Sequence, residues 1–182
     1  MTIKNINTKR YILRKVEKSD AQEIYKILSD KNVIENLNMK LHESIEDTKS
    51  LIEDYLTEHE KGLKFPYSII DKDTLEFIGV FLIKIDLYDE DCFEFTVYLK
   101  KEHWGIGIYS EVLPYMTKIA FEEIKTGNFR GFVMEKNKAS SKVLLRNNFI
   151  LEKIFEVPGI DGKIESYLIT KEQYKNMIND RK

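Results

Sequence analysis

The chain has 182 residues, 42% of them hydrophobic and 33% charged, with a formal net charge of -2 and one cysteine. That length suits one domain with a sizeable core, and the near-neutral balance gives no global field for nucleic acid or an anionic membrane. Cys92 alone excludes an internal disulfide framework and a cysteine-based metal site, no apolar run approaches the roughly 18 residues of a membrane span, and "MTIKNINTKRYIL" lacks the apolar core of a secretion signal, so a reducing, cytoplasmic setting is expected.

Tyr11 to Lys15 reads as a first short strand. "SDAQ", Ser19 to Gln22, has the pattern of a capping box, and Ile24, Tyr25, Ile27 and Leu28 continue it at helical spacing. The polar, Asn-rich segment Asp30 to Glu43 reads as a loop. "SIED" starts a second helix at Ser44, with Ile45, Ile52, Tyr55 and Leu56 on its apolar face. Three strands follow, Pro66 to Ile70, Phe77 to Ile85 and Phe93 to Leu99, joined by turns at "KDT" and "DLYDEDC". Ile108, Val112, Met116, Ile119, Ala120 and Ile124 form a helical stripe that contains Pro114, a residue costing about 3 kcal/mol in a helix interior. Phe129 to Met134 reads as a buried strand and Ala139 to Arg146 as a short helix. Ile150 to Val157 and Ile164 to Thr170 read as a hairpin turned by "PGIDG", and Lys171 to Asn179 as a terminal helix.

The order β-αα-βββ-α-β-α-ββ predicts an α/β fold in one domain over residues 1–182: a mixed, mostly antiparallel sheet with helices on both faces. Phe93–Leu99 and Phe129–Met134, joined through a helix, are expected to run parallel.

"KEHWGIGIYSEV", Lys101 to Val112, places Gly105 and Gly107 between a strand and a helix. The first amides of a helix have no partners within it, and with the helix dipole they attract an anion. Glycines leave no Cβ in the way of close approach, so a phosphate or pyrophosphate is the expected ligand. An ordinary two-glycine turn fits the same residues. No GK[ST] follows, so this is not a Walker loop, and the third glycine of a dinucleotide fingerprint is absent.

Four stretches resemble the GCN5-related N-acetyltransferases, in particular the RimJ/RimL-like branch: "RYILRKVEKSDAQEIYKILSD", "FEFTVYLKKEHWGIGIYSEVL", "NKASSKVLLRNNF" and "DGKIESYLITKEQY". They span nearly the whole chain in the family's order. The resemblance implies acetyl-CoA as donor and no metal. It implies that amides of Trp104, Gly105, Ile106, Gly107 and Ile108, with Tyr109 following, hold the pyrophosphate. Backbone of Val97, Tyr98 and Leu99 would pair with the pantetheine where the strand splays from its neighbour. Asn137 and Ser140 would meet the pantetheine arm, and Lys142 and Arg146 either the distal phosphates or only solvent. The branch further implies a homodimer.

Acetyl transfer to an amine needs a group that takes the amine's proton, donors for the developing oxyanion, and an acid for the thiolate. Glu94, a charge within "CFEFTVYL", matches the family's Glu and is the candidate base; otherwise it faces solvent. Ser140 is the candidate acid; otherwise it caps its helix. Strand amides near Val97 are the candidate oxyanion donors. Three positions depart from the family pattern: Glu102 replaces Arg or Gln, Asn148 replaces the Gly of Gly-Phe, and Leu144 stands where many members have an acid Tyr. Leu144 and Glu102 keep open a non-catalytic CoA-binding module, whereas Asn148 can adopt the left-handed conformation as Gly does. His103 and Trp104 read as packing residues, His42 and His59 as surface residues, and Cys92 as buried and inert. The acceptor is expected to be a protein N-terminus or small amine, met by the segments Asp30–Glu43 and Val157–Ile164, whose Glu35, His42, Glu43, Glu156 and Asp161 would suit a cation.

Overall fold

The computed structural model describes residues 3–37 and 39–179; positions 1, 2, 38 and 180–182 of the expected domain range lie outside it. Eight strands make one sheet: β1 (Ile6–Asn7), β2 (Tyr11–Lys15), β3 (Lys64–Asp71), β4 (Phe77–Ile85), β5 (Cys92–Leu99), β6 (Asn128–Met134), β7 (Ile150–Glu156) and β8 (Lys163–Thr170). Their spatial order is β1-β2-β3-β4-β5-β6-β8-β7. All neighbours are antiparallel except β5 and β6, which are parallel as the intervening helix requires.

The helices are α1 (Ala21–Leu28), α2 (Lys31–Ile34), α3 (Ile45–Glu60), α4 (Ile108–Ile119), α5 (Lys138–Arg146) and α6 (Lys171–Asn179). Ile24, Ile27, Leu28 and Ile52 of α1 and α3 close over Val80 and Tyr98 on one face of the sheet. Val112, Met116, Leu144 and Tyr174 of α4, α5 and α6 close over Phe81, Phe95 and Phe129 on the other. Strand residues of opposite parity feed the two clusters, as a sheet buried on both faces demands. None of the described helices is long and apolar enough to cross a membrane.

Local chemistry moves some expected boundaries. The first cap lies at Glu17 rather than Ser19, with Lys18–Asp20 forming a short 3₁₀ turn. Asp20 turns back to accept from the Glu17 amide at 2.9 Å, and it is buried because Arg14, at 2.6 and 2.8 Å, and Ser68, at 2.7 Å, also donate to it. A buried carboxylate with three donor groups outweighs a serine cap on the surface. Ser44 does cap α3, in a reciprocal pair with Asp47. The polar segment 30–43 contains α2, capped by Asp30 and buried through Val33. Pro114 lies inside α4, which continues to Ile119; a π-helical turn, Ala120–Ile124, then ends at Lys125 in the left-handed region.

Candidate active site

The β5–β6 ladder covers only Cys92–Phe95 against Asn128–Gly131. At its last rung the Phe95 ring fills the space beside Gly131: a Cβ there would stand 2.6 Å from Phe95 Cζ. That ring is fixed by Phe81, Phe129 and Phe149 at centroid distances of 5.3, 4.6 and 5.7 Å. Beyond the rung the strands part. Lys100 donates its amide to Ile78 O at 2.9 Å, and the register continues as Tyr98 opposite Val80. By the two-residue alternation of an antiparallel ladder, the polar backbone of Tyr98 faces β4, while that of Val97 and Leu99 faces the gap. The Val97 backbone and the Leu99 amide therefore face the gap as the expected pairing needs, whereas the Leu99 carbonyl already accepts from Trp104 Nε1 and the Tyr98 backbone faces β4. The Tyr98 side chain is buried as well, with its hydroxyl 3.3 Å from that of Tyr55. Burial pushes both phenols up, Tyr55 to about 12.

The gap opens into a cleft of about 940 Å³ lined by β5, β6, the 103–110 segment and the start of α5. Gly105 and Gly107 both have positive φ, +77° and +82°, and Gly107 leads directly into α4. A side chain at either position would be strained, and both residues line the cleft. Ile108 and Tyr109 line it too, whereas Ile106 points outward and is 52% exposed. Trp104 is 40% exposed, so it does not anchor the loop by burial; its Nε1 donates to Leu99 O at 3.1 Å instead. Behind the loop, Glu111 of α4 accepts from the Arg10 amide and Nε, both at 2.7 Å, and from Thr8 Oγ1 at 2.6 Å. Arg10 Nη1 donates to Ile106 O at 3.1 Å. The sequence reading missed this group. An acid in the first turn of a helix meant to receive an anion was its signal, because such an acid must be neutralised locally.

On α5, Asn137 is the cap: its Oδ1 accepts the Ser140 amide at 3.2 Å. Ser140 is therefore not the cap, and its hydroxyl lines the cleft without a hydrogen-bond partner among the described residues. The helix is tied down by buried Glu165, which accepts from Ser141 Oγ at 2.6 Å, Tyr167 OH at 2.8 Å and Lys138 Nζ at 2.9 Å. Leu144 is fully buried and offers no hydroxyl. Lys142 and Arg146 are exposed on α5, off the cleft wall.

Glu94 is not solvated outward. Its side chain is 14% exposed, lines the cleft, and its Oε1 pairs with Lys84 Nζ of β4 at 2.5 Å, with no partner for Oε2 among the described residues. Beside it in register, Arg130 pairs with buried Asp86 and, at 3.2 Å, with Glu152. Cys92 is fully buried, and its thiol is pushed up to about 12 by burial, which makes it inert as a nucleophile.

Two expectations are corrected. His42 and His59 are buried rather than on the surface: His42 Nδ1 lies 2.7 Å from Thr48 Oγ1, and His59 Nδ1 lies 3.1 Å from Lys64 O with its ring edge-on to Phe65. The segments 30–43 and 157–164 do reach the cleft, but through Val33, Asn36, Leu37, Met39, Val157 and Ile164. Glu35, His42, Glu43, Glu156 and Asp161 are not on its wall. His103, read as packing, lines the cleft with Nε2 3.1 Å from Glu76 Oε1.

Residues 10–150 match the family model described as the acetyltransferase (GNAT) domain. The chain is 26% identical over 149 residues to the uncharacterised N-acetyltransferase YoaA of Bacillus subtilis (strain 168), covering 82% of this chain and 84% of that one. Its fold is similar to that of RimL, a ribosomal alpha-N-protein acetyltransferase in complex with coenzyme A, with a TM-score of 0.78 at 21% identity over 93% of this chain and 99% of that one. It is equally similar in fold to a spermidine N-acetyltransferase from Vibrio cholerae in complex with CoA and spermine, with a TM-score of 0.78 at 19% identity over 92% and 99% of the two chains. With a family model covering most of its length and a sheet parted beside a glycine loop, the chain belongs to the GNAT acetyltransferase family.

Proposed function

We propose that this protein transfers an acetyl group from acetyl-CoA to a primary amine by direct attack, in the manner of the RimJ/RimL-like branch. The observation that carries this reading is the parting of β5 from β6 next to the Gly105–Gly107 loop. It leaves the backbone of Val97 facing the gap on one side of the cleft and helix-start amides at its end. An amide-bearing pantetheine arm and its pyrophosphate need those two kinds of donor in that order.

Bound acetyl-CoA supplies an acyl group already activated as a thioester. Glu94 Oε2 receives the ammonium proton, directly or through water, while Lys84 holds the other carboxylate oxygen. The Val97 amide, which faces the gap, meets the carbonyl oxygen as charge develops on it. Ser140, with its hydroxyl unspent on capping, gives a proton to the departing sulfur and regains one from the adduct's nitrogen, directly or through water.

For the acceptor, the cleft carboxylates favour a single amine on an apolar body, a peptide N-terminus first. Asp86 is committed to Arg130, Glu94 to Lys84, and Asp89 accepts the Asp91 amide at 3.1 Å. A polyamine has several charges to place and finds only Asp89 without a cationic partner among the described acids of the wall, whereas Val33, Leu37, Met39 and Val157 offer apolar surface. Peptides with apolar first residues are expected to turn over faster than spermidine; the reverse order in a steady-state panel would refute the assignment. Buried Leu144 supports the other reading, a CoA-binding module without turnover, which steady acetylation of any amine would end.

The test of the donor is calorimetric titration of acetyl-CoA into wild type and Gly107→Trp. Binding by the wild type that is lost in the variant supports the cradle. Absence of binding to the wild type would sink the acetyl-CoA reading.

A further inference from the structure

We propose that Arg10 is a positioning residue for the anion loop: it fixes the Ile106–Gly107 peptide plane so that the Gly107 N–H points into the cleft. The proposal rests on the acetyl-CoA reading above and deepens it. In a trans peptide the C=O of one residue and the N–H of the next point in opposite directions. Arg10 Nη1 holds Ile106 O from outside the loop at 3.1 Å, and the Ile106 side chain is exposed on that outer side. The N–H of Gly107, on the opposite edge of the same plane, is thereby aimed inward, where Gly107 lines the cleft.

Glycine makes this control necessary. At φ +82° Gly107 has the freedom that lets the chain enter α4, and the same freedom lets the preceding plane flip. Something outside the loop has to choose the orientation. Arg10 is itself held at two points, since its amide and its Nε both donate to Glu111 at 2.7 Å. Glu111 is fixed by Thr8 at 2.6 Å, and the site sits immediately before β2. The hydrogen bond to Glu111 raises the Arg10 pKa. Burial pushes the Glu111 carboxyl up, but Thr8 and Arg10 outweigh it and hold the carboxyl below its usual range. The pair is therefore ionised and mutually neutralised. This leaves geometry, rather than net charge, as what Arg10 gives the loop. The planar fork matters too: one guanidinium serves the carboxylate through Nε and the carbonyl through Nη1, which a lysine ammonium cannot reproduce with the same reach.

The competing role, a direct contact between Arg10 and a phosphate, makes the opposite forecast for Glu111→Gln. That variant frees the guanidinium, so a direct phosphate contact would strengthen CoA binding and positioning would weaken it. The experiment titrates CoA calorimetrically into wild type, Arg10→Lys and Glu111→Gln, with thermal melts to confirm folding. It also follows the Gly107 amide resonance in ¹⁵N-labelled protein. The expected result is a roughly tenfold loss of CoA affinity in both variants. In the wild type CoA should move the Gly107 amide strongly, and in folded variants the response should be blunted. Equal or tighter CoA binding by folded Glu111→Gln, or an unchanged Gly107 response in both variants, overturns the proposal alone. No CoA binding by the wild type overturns the acetyl-CoA reading first and this proposal with it.

Discussion

Glu94 and Asn137 show how one side chain can be read two ways until its partners are known. Glu94 has one oxygen tied to Lys84 and one with no partner among the described residues, which suits a group that accepts a proton without moving. Glu94→Gln keeps the shape and removes the base, so kcat should fall by about 10²-fold or more with CoA affinity unchanged. A kcat equal to that of wild type in this variant would remove Glu94 from the mechanism. Asn137 was expected at the pantetheine, and in the structure its Oδ1 caps α5. Asn137→Ala should therefore lower stability by about 1 kcal/mol in thermal or denaturant unfolding, apart from any effect on binding. The glycines, Glu94 and Ser140 were legible because their residue types sit where chemistry or backbone geometry demands them. Lys84, Arg10 and Glu111 were not, because each acquires its role from a partner on another element.

Among the elements, those with strong periodicity matched expectation, and the misses have local causes. The two-residue strand β1 is too short to show alternation, and α2 is a single turn whose only buried residue is Val33. The first cap shifted because Asp20 found Arg14 and Ser68, neither of them near it in sequence pattern. No pattern announces where a ladder stops, either. The end of β5–β6 pairing depends on Phe95 lying against Gly131, a pair 36 residues apart by number and adjacent in register. Gly131→Val places branched carbons where the Phe95 ring is locked by three other phenylalanines. It should cost about 1 to 3 kcal/mol and disturb the parting of the strands. A melting temperature equal to wild type would show that the ring has room to move.

For the molecule as a whole, fold class and the parallel strand pair could be read from element order, but the chemistry that segments 30–43 and 157–164 bring to the cleft could not. Acids counted along a loop do not reveal which way the loop faces, and here Val33, Leu37 and Met39 turn inward with Asn36 while its acids do not. The histidines carry a consequence at this scale. Burial lowers the pKa of His42, only partly opposed by Asp47, and burial likewise lowers that of His59 against the opposing Lys64 carbonyl. Both are neutral in the fold. The unfolded chain begins to bind those protons near the ordinary value of 6.5, so stability is complete above it and declines as pH falls toward the depressed folded values. For Asp20 and Glu165, burial pushes the carboxyls up, but Arg14 in one case and Ser141 with Lys138 in the other bring them below the usual range. Their contribution is lost only at more acid pH, beneath about 4.5. Melting temperature should therefore drop between pH 7 and pH 5, and His42→Gln should shrink that drop if the variant folds. A flat profile over this interval would contradict the assignment.

The short β5–β6 ladder is also a waist. Four rungs of strand pairing join a five-stranded block, β1 to β5, to a three-stranded block, β6 to β8, with Asp91 accepting from Thr126, Gly127 and Asn128 at the turn and Arg130 reaching back to Asp86. A ligand lying along Val97 would act as a splint across that waist. Its effect should spread well past the atoms it touches: amide exchange ought to slow in β7 and β8, remote from the cleft wall of β5, as two halves that open separately come to open together.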